Sequence, residues 1–196
     1  MPRIADLVLM LILFPVIFPV FIFVLLISFI FHGNNVFFKQ QRLGKNKEIF
    51  YLYKFRSMIL NAQSIGTGLC SYADDPRITK FGKILRRTSL DELPQLINVI
   101  KGEMSFIGPR PPVLGELELE NNLPEQIDLR FTVRPGLTGW AQIHGRDNLS
   151  WFEKASMDIY FVNLKGCKRV LAILYVLVFT PLYLLNFSAT YEKRKP

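Results

Sequence analysis

Apolar positions follow different spacings along this chain, and each spacing predicts a different element. The first is continuous: from Leu7 to Phe31 there are 25 residues without a charge. As a straight helix this stretch would reach roughly 37 Å, enough for a hydrocarbon core of ~30 Å. It is too long for the apolar region of a signal peptide, and no small-residue cleavage site follows, so it is expected to stay attached and bind membrane. Arg3 precedes it, whereas Lys39, Arg42, Lys45 and Lys47 follow, which places residues 39 onward in the cytoplasm. Pro15 and Pro19 lie inside the run. Each removes a helical donor, leaving the carbonyls of Leu11 and Pro15 without their usual partners, and a kink is expected there. A single crossing and a re-entrant helix that returns to the same face both fit.

Shorter segments follow. Residues 34–56 read as strand, a Gly44–Lys45–Asn46 turn and strand, a hairpin carrying six cations against the lone acid Glu48. Residues 61–76 are polar and read as a loop. Leu93, Leu96, Ile97 and Ile100 repeat at i, i+3, i+4 and i+7, the mark of an amphipathic helix ending at Lys101–Gly102. With Asp91 as its N-cap, Pro94 occupies the third helical position and loses no hydrogen bond. Residues 116–131 read as a further helix with acids on its exposed face. Residues 134–148 read as a Gly-rich loop region, and 151–164 as a helix. Val170 to Leu185 is a second apolar run with cations on both sides. Equal basic flanks argue against a crossing and for a helix lying at the membrane surface. The class is mainly α with a small β-hairpin (α+β).

Composition narrows the function. The 196 residues suit one cytosolic domain plus a membrane element, and the 50% hydrophobic content excludes a disordered chain. A net charge of +8 favours phosphate-rich partners: nucleotides, anionic headgroups or nucleic acid. Cys70 and Cys167 stand far apart, and with His32 and His144 they form no metal-ligand spacing, so both read as reduced thiols.

The candidate chemistry centres on Asp91 and Glu92, adjacent carboxylates at a helix start. Acids there also serve as cap and dipole complement. The surroundings suggest more. Lys54, Arg56, Arg86, Arg110, Arg134 and Arg146 stand near or within turns such as GPRPP, VRPG and HGRDN, where proline and glycine fix the backbone and arginine can grip phosphate with two donors. Beside a diphosphate, a carboxylate can hold Mg²⁺ or attack phosphorus to form an acyl-phosphate. The pattern permits both.

The stretches YKFRSM (53–58), DPRITKFGKILRRTSLDELPQLINVIKGEMSFIGPRPP (75–112) and VRPGLTGWAQIHGRDN (133–148), with a looser MDIYFVN (157–163), resemble the bacterial sugar transferases known as monotopic phosphoglycosyl transferases, in particular their small members. The resemblance implies that Asp91 attacks the diphosphate of a UDP-sugar, releases UMP and carries the phosphosugar until polyprenyl (undecaprenyl) phosphate takes it. Glu92 would bind Mg²⁺ with Asp91 or manage the acceptor's proton. Lys54, Arg56, Arg86, Arg110, Arg134, Arg146 and Asp158 would line the phosphate and substrate site. It further implies a re-entrant membrane helix over 1–35, broken near Pro15 and Pro19, and a cytosolic catalytic domain over 36–196 with residues 170–187 at the membrane surface. The family's break usually falls at Ser-Pro, and here Phe18 precedes Pro19. The resemblance also implies a setting at the bacterial inner membrane, the domain facing the cytoplasm, with membrane lipids but no nucleic acid as partners. Two other readings compete: a membrane-anchored glycosyltransferase that releases UDP, and a basic membrane-anchored lipid-binding protein.

Overall fold

The computed structural model describes residues 1–65, 75–145 and 148–191, with side chains through Pro181. Its longest element, α1 (Arg3–His32), stays helical through Pro15 and Pro19. It is the one helix among the described residues long and apolar enough to cross a membrane, although only 11% of its most apolar window is buried. One stripe of α1 packs on the rest of the chain. Met10 and Val24 are buried, Ile17 and Phe21 partly so, and both prolines point away and are exposed. The spacing of these residues is the 3–4 rhythm of a helix face.

After α1, strands β1 (Phe37–Leu43) and β2 (Ile49–Phe55) form the hairpin, in antiparallel register from Phe37 opposite Phe55 to Leu43 opposite Ile49. Its turn closes with Gly44 N–H donating to the Glu48 carbonyl at 2.8 Å. Asn46 and Lys47 both take left-handed backbone there (φ 55° and 62°), a geometry that asparagine tolerates well. Helix α2 (Lys80–Arg87) follows, capped by Thr79, whose hydroxyl accepts from Gly82 N–H. Nothing in the sequence reading marked it, since its eight residues carry five charges or glycines around a short apolar seam.

The amphipathic segment becomes α3 (Gln95–Lys101), shorter than its apolar repeat and ended by Gly102 at φ 87°. Here the structure corrects the expected cap. Asp91 sits inside a separate 3₁₀ turn, Leu90–Glu92, preceded by Ser89, and Pro94 caps α3. Leu93 and Pro94 both keep helical backbone (φ −52° and −63°), so the turn leads directly into α3, and Pro94 stands where the helix start needs no donor.

A second pair of strands, β3 (Ser105–Ile107) and β4 (Gly136–Thr138), runs parallel, with Ser105 opposite Gly136 and Ile107 opposite Thr138. At Gly136 a Cβ would lie 2.0 Å from the Gly108 nitrogen, so glycine is required by the close approach of two backbones. The chain between them does not form the expected helix over 116–131. It has two 3₁₀ segments instead, Leu117–Leu119 and Ile127–Thr132, because Pro124 interrupts any continuous helical ladder.

Helices α4 (Trp140–Ile143), α5 (Trp151–Asn163) and α6 (Gly166–Tyr191) complete the fold. Ser150 and Glu153 form a reciprocal capping box at the start of α5. Two apolar clusters hold the elements together. The larger joins Met10, Leu52, Val99, Met104, Phe161 and Val176. The smaller joins Val24, Phe55, Phe81 and Leu85, with Leu93 against both. The architecture is α+β: mostly helical, with two small sheets among the described residues.

Candidate active site

Asp91 and Glu92 stand on the short turn before α3, and both are buried (7% and 9% exposed). Two residues upstream, Ser89 is left-handed at φ 55°, a costly conformation for a side-chain-bearing residue, at the point that aims the turn. Two cations from other elements meet one oxygen of Glu92. Lys54 of β2 donates to Oε1 at 2.9 Å, and Arg110 donates to the same atom at 3.2 Å. The Lys54 ammonium also lies 3.9 Å from Asp91 Oδ2. Burial holds Lys54 below its ordinary range, opposed by the Glu92 and Asp91 carboxylates. Adjacent carboxylates between two cations thus form a compact, partly dry charged centre.

Arg110 belongs to a proline-rich loop, Gly108–Val113, whose carbonyls are held one after another. Gly136 N–H donates to the Pro109 carbonyl, and Leu43 N–H to that of Pro112. Between them, Arg130 donates to the Arg110 carbonyl at 2.8 Å and Arg42 to that of Pro111 at 2.8 Å. Prolines contribute no N–H of their own, so the loop takes its shape from donors on β1, β4 and the 3₁₀ segment 127–132.

Asp158 of α5 lies one step behind. It pairs with Arg130 at 2.9 Å, both residues only 2% exposed. Burial pushes the Asp158 carboxyl up to about 6, with Arg130 and then Lys154 opposing. Asp158 therefore supports Arg130, which supports the Arg110 backbone, whose guanidinium reaches Glu92.

The structure brings Lys54, Arg110, Asp91 and Glu92 together and joins Asp158 through Arg130. The other candidates have different partners. Arg86 donates from Nε to Ser57 Oγ at 2.9 Å, and Ser57 is next to Arg56 in the chain. Arg56 donates to the His32 carbonyl at the end of α1. Arg134 pairs with Asp6 at 3.1 Å and donates to the Met1 carbonyl. Arg146, like Cys70, lies outside the described residues.

The sequence reading missed Arg42, Arg130 and Asp6. Arg130 gave no signal, being one arginine in a stretch read as an exposed acidic helix. Asp6 was legible only as an acid at the edge of an apolar run.

Beside Arg110 lies a cleft lined by Arg42, Arg130, Trp151, Lys154 and Asp158 among others. No group of three or more His, Cys, Asp or Glu able to hold a metal occurs among the described residues. The Asp91–Glu92 pair still fits Mg²⁺ by donor chemistry, because that ion is commonly held by one or two carboxylates, with phosphate and water completing its shell.

Residues 1–186 match the family model described as bacterial sugar transferase. An uncharacterized sugar transferase of Bacillus subtilis, EpsL, is 46% identical over 131 residues, covering 67% of this chain and 62% of that protein. The UDP-glucose:undecaprenyl-phosphate glucose-1-phosphate transferase of Escherichia coli is 40% identical over 161 residues, 81% of this chain and 34% of that one. The undecaprenyl-phosphate galactose phosphotransferase of Salmonella typhimurium is 37% identical over 145 residues, 67% of this chain and 30% of that one. The chain thus matches less than two thirds of the length of each of these relatives. The match along nearly all of its own length is decisive, and the chain belongs to the bacterial sugar transferase family.

Proposed function

We propose that this chain transfers a phosphosugar from a UDP-sugar to undecaprenyl phosphate and releases UMP, as the first membrane step of glycoconjugate assembly. The observation that carries the reading is the convergence of Lys54 and Arg110 on Glu92 beside buried Asp91. A diphosphate entering there meets two cations that can follow its developing charge. The names of the Escherichia coli and Salmonella relatives, both undecaprenyl-phosphate sugar transferases, support the same chemistry.

In the proposed first step an Asp91 carboxylate oxygen attacks the phosphorus that bears the sugar. The bond from that phosphorus to the bridging oxygen breaks, and UMP leaves with the oxygen. A phosphosugar–aspartyl acyl-phosphate remains. In the second step a phosphate oxygen of undecaprenyl phosphate attacks the same phosphorus. The bond to Asp91 breaks, and the carboxylate is restored. Mg²⁺, when held by Asp91 and Glu92, supplies charge neutralisation on the phosphates. Lys54 holds Glu92 in place through its hydrogen bond, and Arg110 orients the donor.

The proposed setting is the bacterial inner membrane, with α1 re-entrant, α6 at the surface and residues 36–196 cytoplasmic. The apolar exposed faces of α1 and α6 support it. The deciding experiment is nucleotide release from a panel of UDP-sugars with Mg²⁺ and undecaprenyl phosphate, for the native chain and Asp91→Asn. UMP release that vanishes in the variant is expected. UDP release would favour simple glycosyl transfer, and no release with any donor would return the acids to a structural role.

A further inference from the structure

The cleft beside Arg110 is not lined by the acid pair, and among the described residues none of its lining comes from α1 or α6, the helices with exposed apolar faces. Its empty volume, open mouth included, is about 430 Å³. Four cations line it, Arg42, Arg110, Arg130 and Lys154, against the acids Glu116 and Asp158. Arg130 is 2% exposed, yet its Nε and Nη1 have no hydrogen-bond acceptor. Trp151 fixes it, with the guanidinium carbon 5.1 Å from the ring centroid, and Lys154 Nζ lies 5.2 Å from the same ring. A buried guanidinium with spare donors is costly unless an acceptor arrives.

We infer that this cleft receives the phosphate monoester of the departing nucleotide, UMP, with the nucleoside lying across its open mouth. The inference rests on the transfer reading above. Arg110 links the two places, since its guanidinium contacts Glu92 and the same residue lines the cleft. When the bridging bond breaks, the new negative charge stays with the leaving phosphate. A cation-rich cleft that shares Arg110 with the acid centre offers that charge a separate set of counter-charges. A sugar is neutral and gains little from four cations. The acceptor lipid also presents a phosphate monoester, but it arrives from the membrane, and among the described residues none lining this cleft belongs to either apolar helix.

The test is calorimetric titration of the full chain in detergent micelles with UMP and, separately, with a short-chain prenyl phosphate, for the native chain and Lys154→Ala. UMP affinity should fall about tenfold in the variant, the loss of one charge-assisted contact, while prenyl phosphate affinity changes less than twofold. As a second measurement, UMP should protect Lys154 from amine acetylation read by mass spectrometry. Equal UMP affinity in both proteins, or parallel loss of prenyl phosphate binding, overturns the inference, as does acetylation of Lys154 at an unchanged rate under saturating UMP. A nucleotide-release assay on the same preparation separates the two readings. UMP release with unchanged titrations removes the cleft assignment alone, and UDP release removes the transfer reading.

Discussion

Arg130 and Asp158 form a buried ion pair, 2.9 Å apart, one residue removed from the loop that presents Arg110 to Glu92. Removing either partner alone would leave a charge stranded in a dry site. The pair is the innermost support of the acid centre and sets its expected response to pH.

Burial raises the Asp158 carboxyl to about 6, against ~3.9 in an unfolded chain. Between those values the folded state binds the extra proton. This residue's own contribution to stability therefore grows as pH falls from 6 toward 4. Activity should move the other way, because a neutral Asp158 weakens its hold on Arg130 and so on the Arg110 loop. We expect kcat/KM for nucleotide release to show an acid limb near pH 6 that disappears in Asp158→Asn. Profiles that are identical in the two proteins would remove Asp158 from the supporting chain.

Lys54 and Arg110 share one oxygen, Glu92 Oε1. Lys54→Ala or Arg110→Ala should each lower kcat/KM about a hundredfold, typical for loss of one electrostatic contact to a developing charge. Because both act on one atom, the double variant should lose much less than the product of the two effects. Steady-state kinetics on the four proteins measures the coupling, and simple multiplicativity would mean that the two cations act independently.

The readable parts of this molecule were those with local causes. The hairpin, α5 and the long apolar helix followed from spacing, turn residues and caps within a few positions. Asp91 and Glu92 were legible as adjacent acids at a helix start, though the 3₁₀ turn that carries them was not, since Asp91 lies within that turn and does not cap α3. The β3–β4 ladder was invisible: its three-residue strands pair across some thirty positions and carry no alternating pattern. Arg130 and Arg42 were missed for the same reason. Their partners are backbone carbonyls of a distant proline loop, and no single segment records that contact.

Gly82 offers a test of the packing beneath the site. A Cβ there would lie 1.9 Å from the Ser57 carbonyl oxygen and 2.6 Å from its carbon, so backbone must move. Ser57 Oγ is also the acceptor for Arg86. Gly82→Ala should destabilise by about 3 kcal/mol or more, at the upper end of overpacking costs. Thermal unfolding by circular dichroism in micelles gives the value. A melting temperature within a degree or so of native would show that α2 can shift away from the Ser57 backbone at little cost.

Asp6 is fully buried at the start of an otherwise apolar helix. Its Oδ1 accepts from Ser105 Oγ at 2.7 Å and from Phe106 N–H at 3.1 Å, and its Oδ2 pairs with Arg134. Arg3 donates to the carbonyls of Val99 and Ile100 at the end of α3. At the other end of α1, Arg56 holds the His32 carbonyl. The helix is thus tied to the domain by polar contacts near both ends, with apolar packing between. Asp6→Leu should cost about 3–5 kcal/mol, because it leaves Arg134 without its carboxylate in a largely buried place. Adding Arg134→Met to that variant should restore much of the loss, since an apolar pair of similar volume carries no stranded charge. Asp6→Asn should fall between, keeping the contacts to Ser105 and Phe106 but not the charge. Unfolding of the set in one detergent measures the coupling. If Asp6→Leu and the double variant are equally unstable, the cost comes from lost hydrogen bonds to β3, and the ion pair adds nothing to the hold on α1.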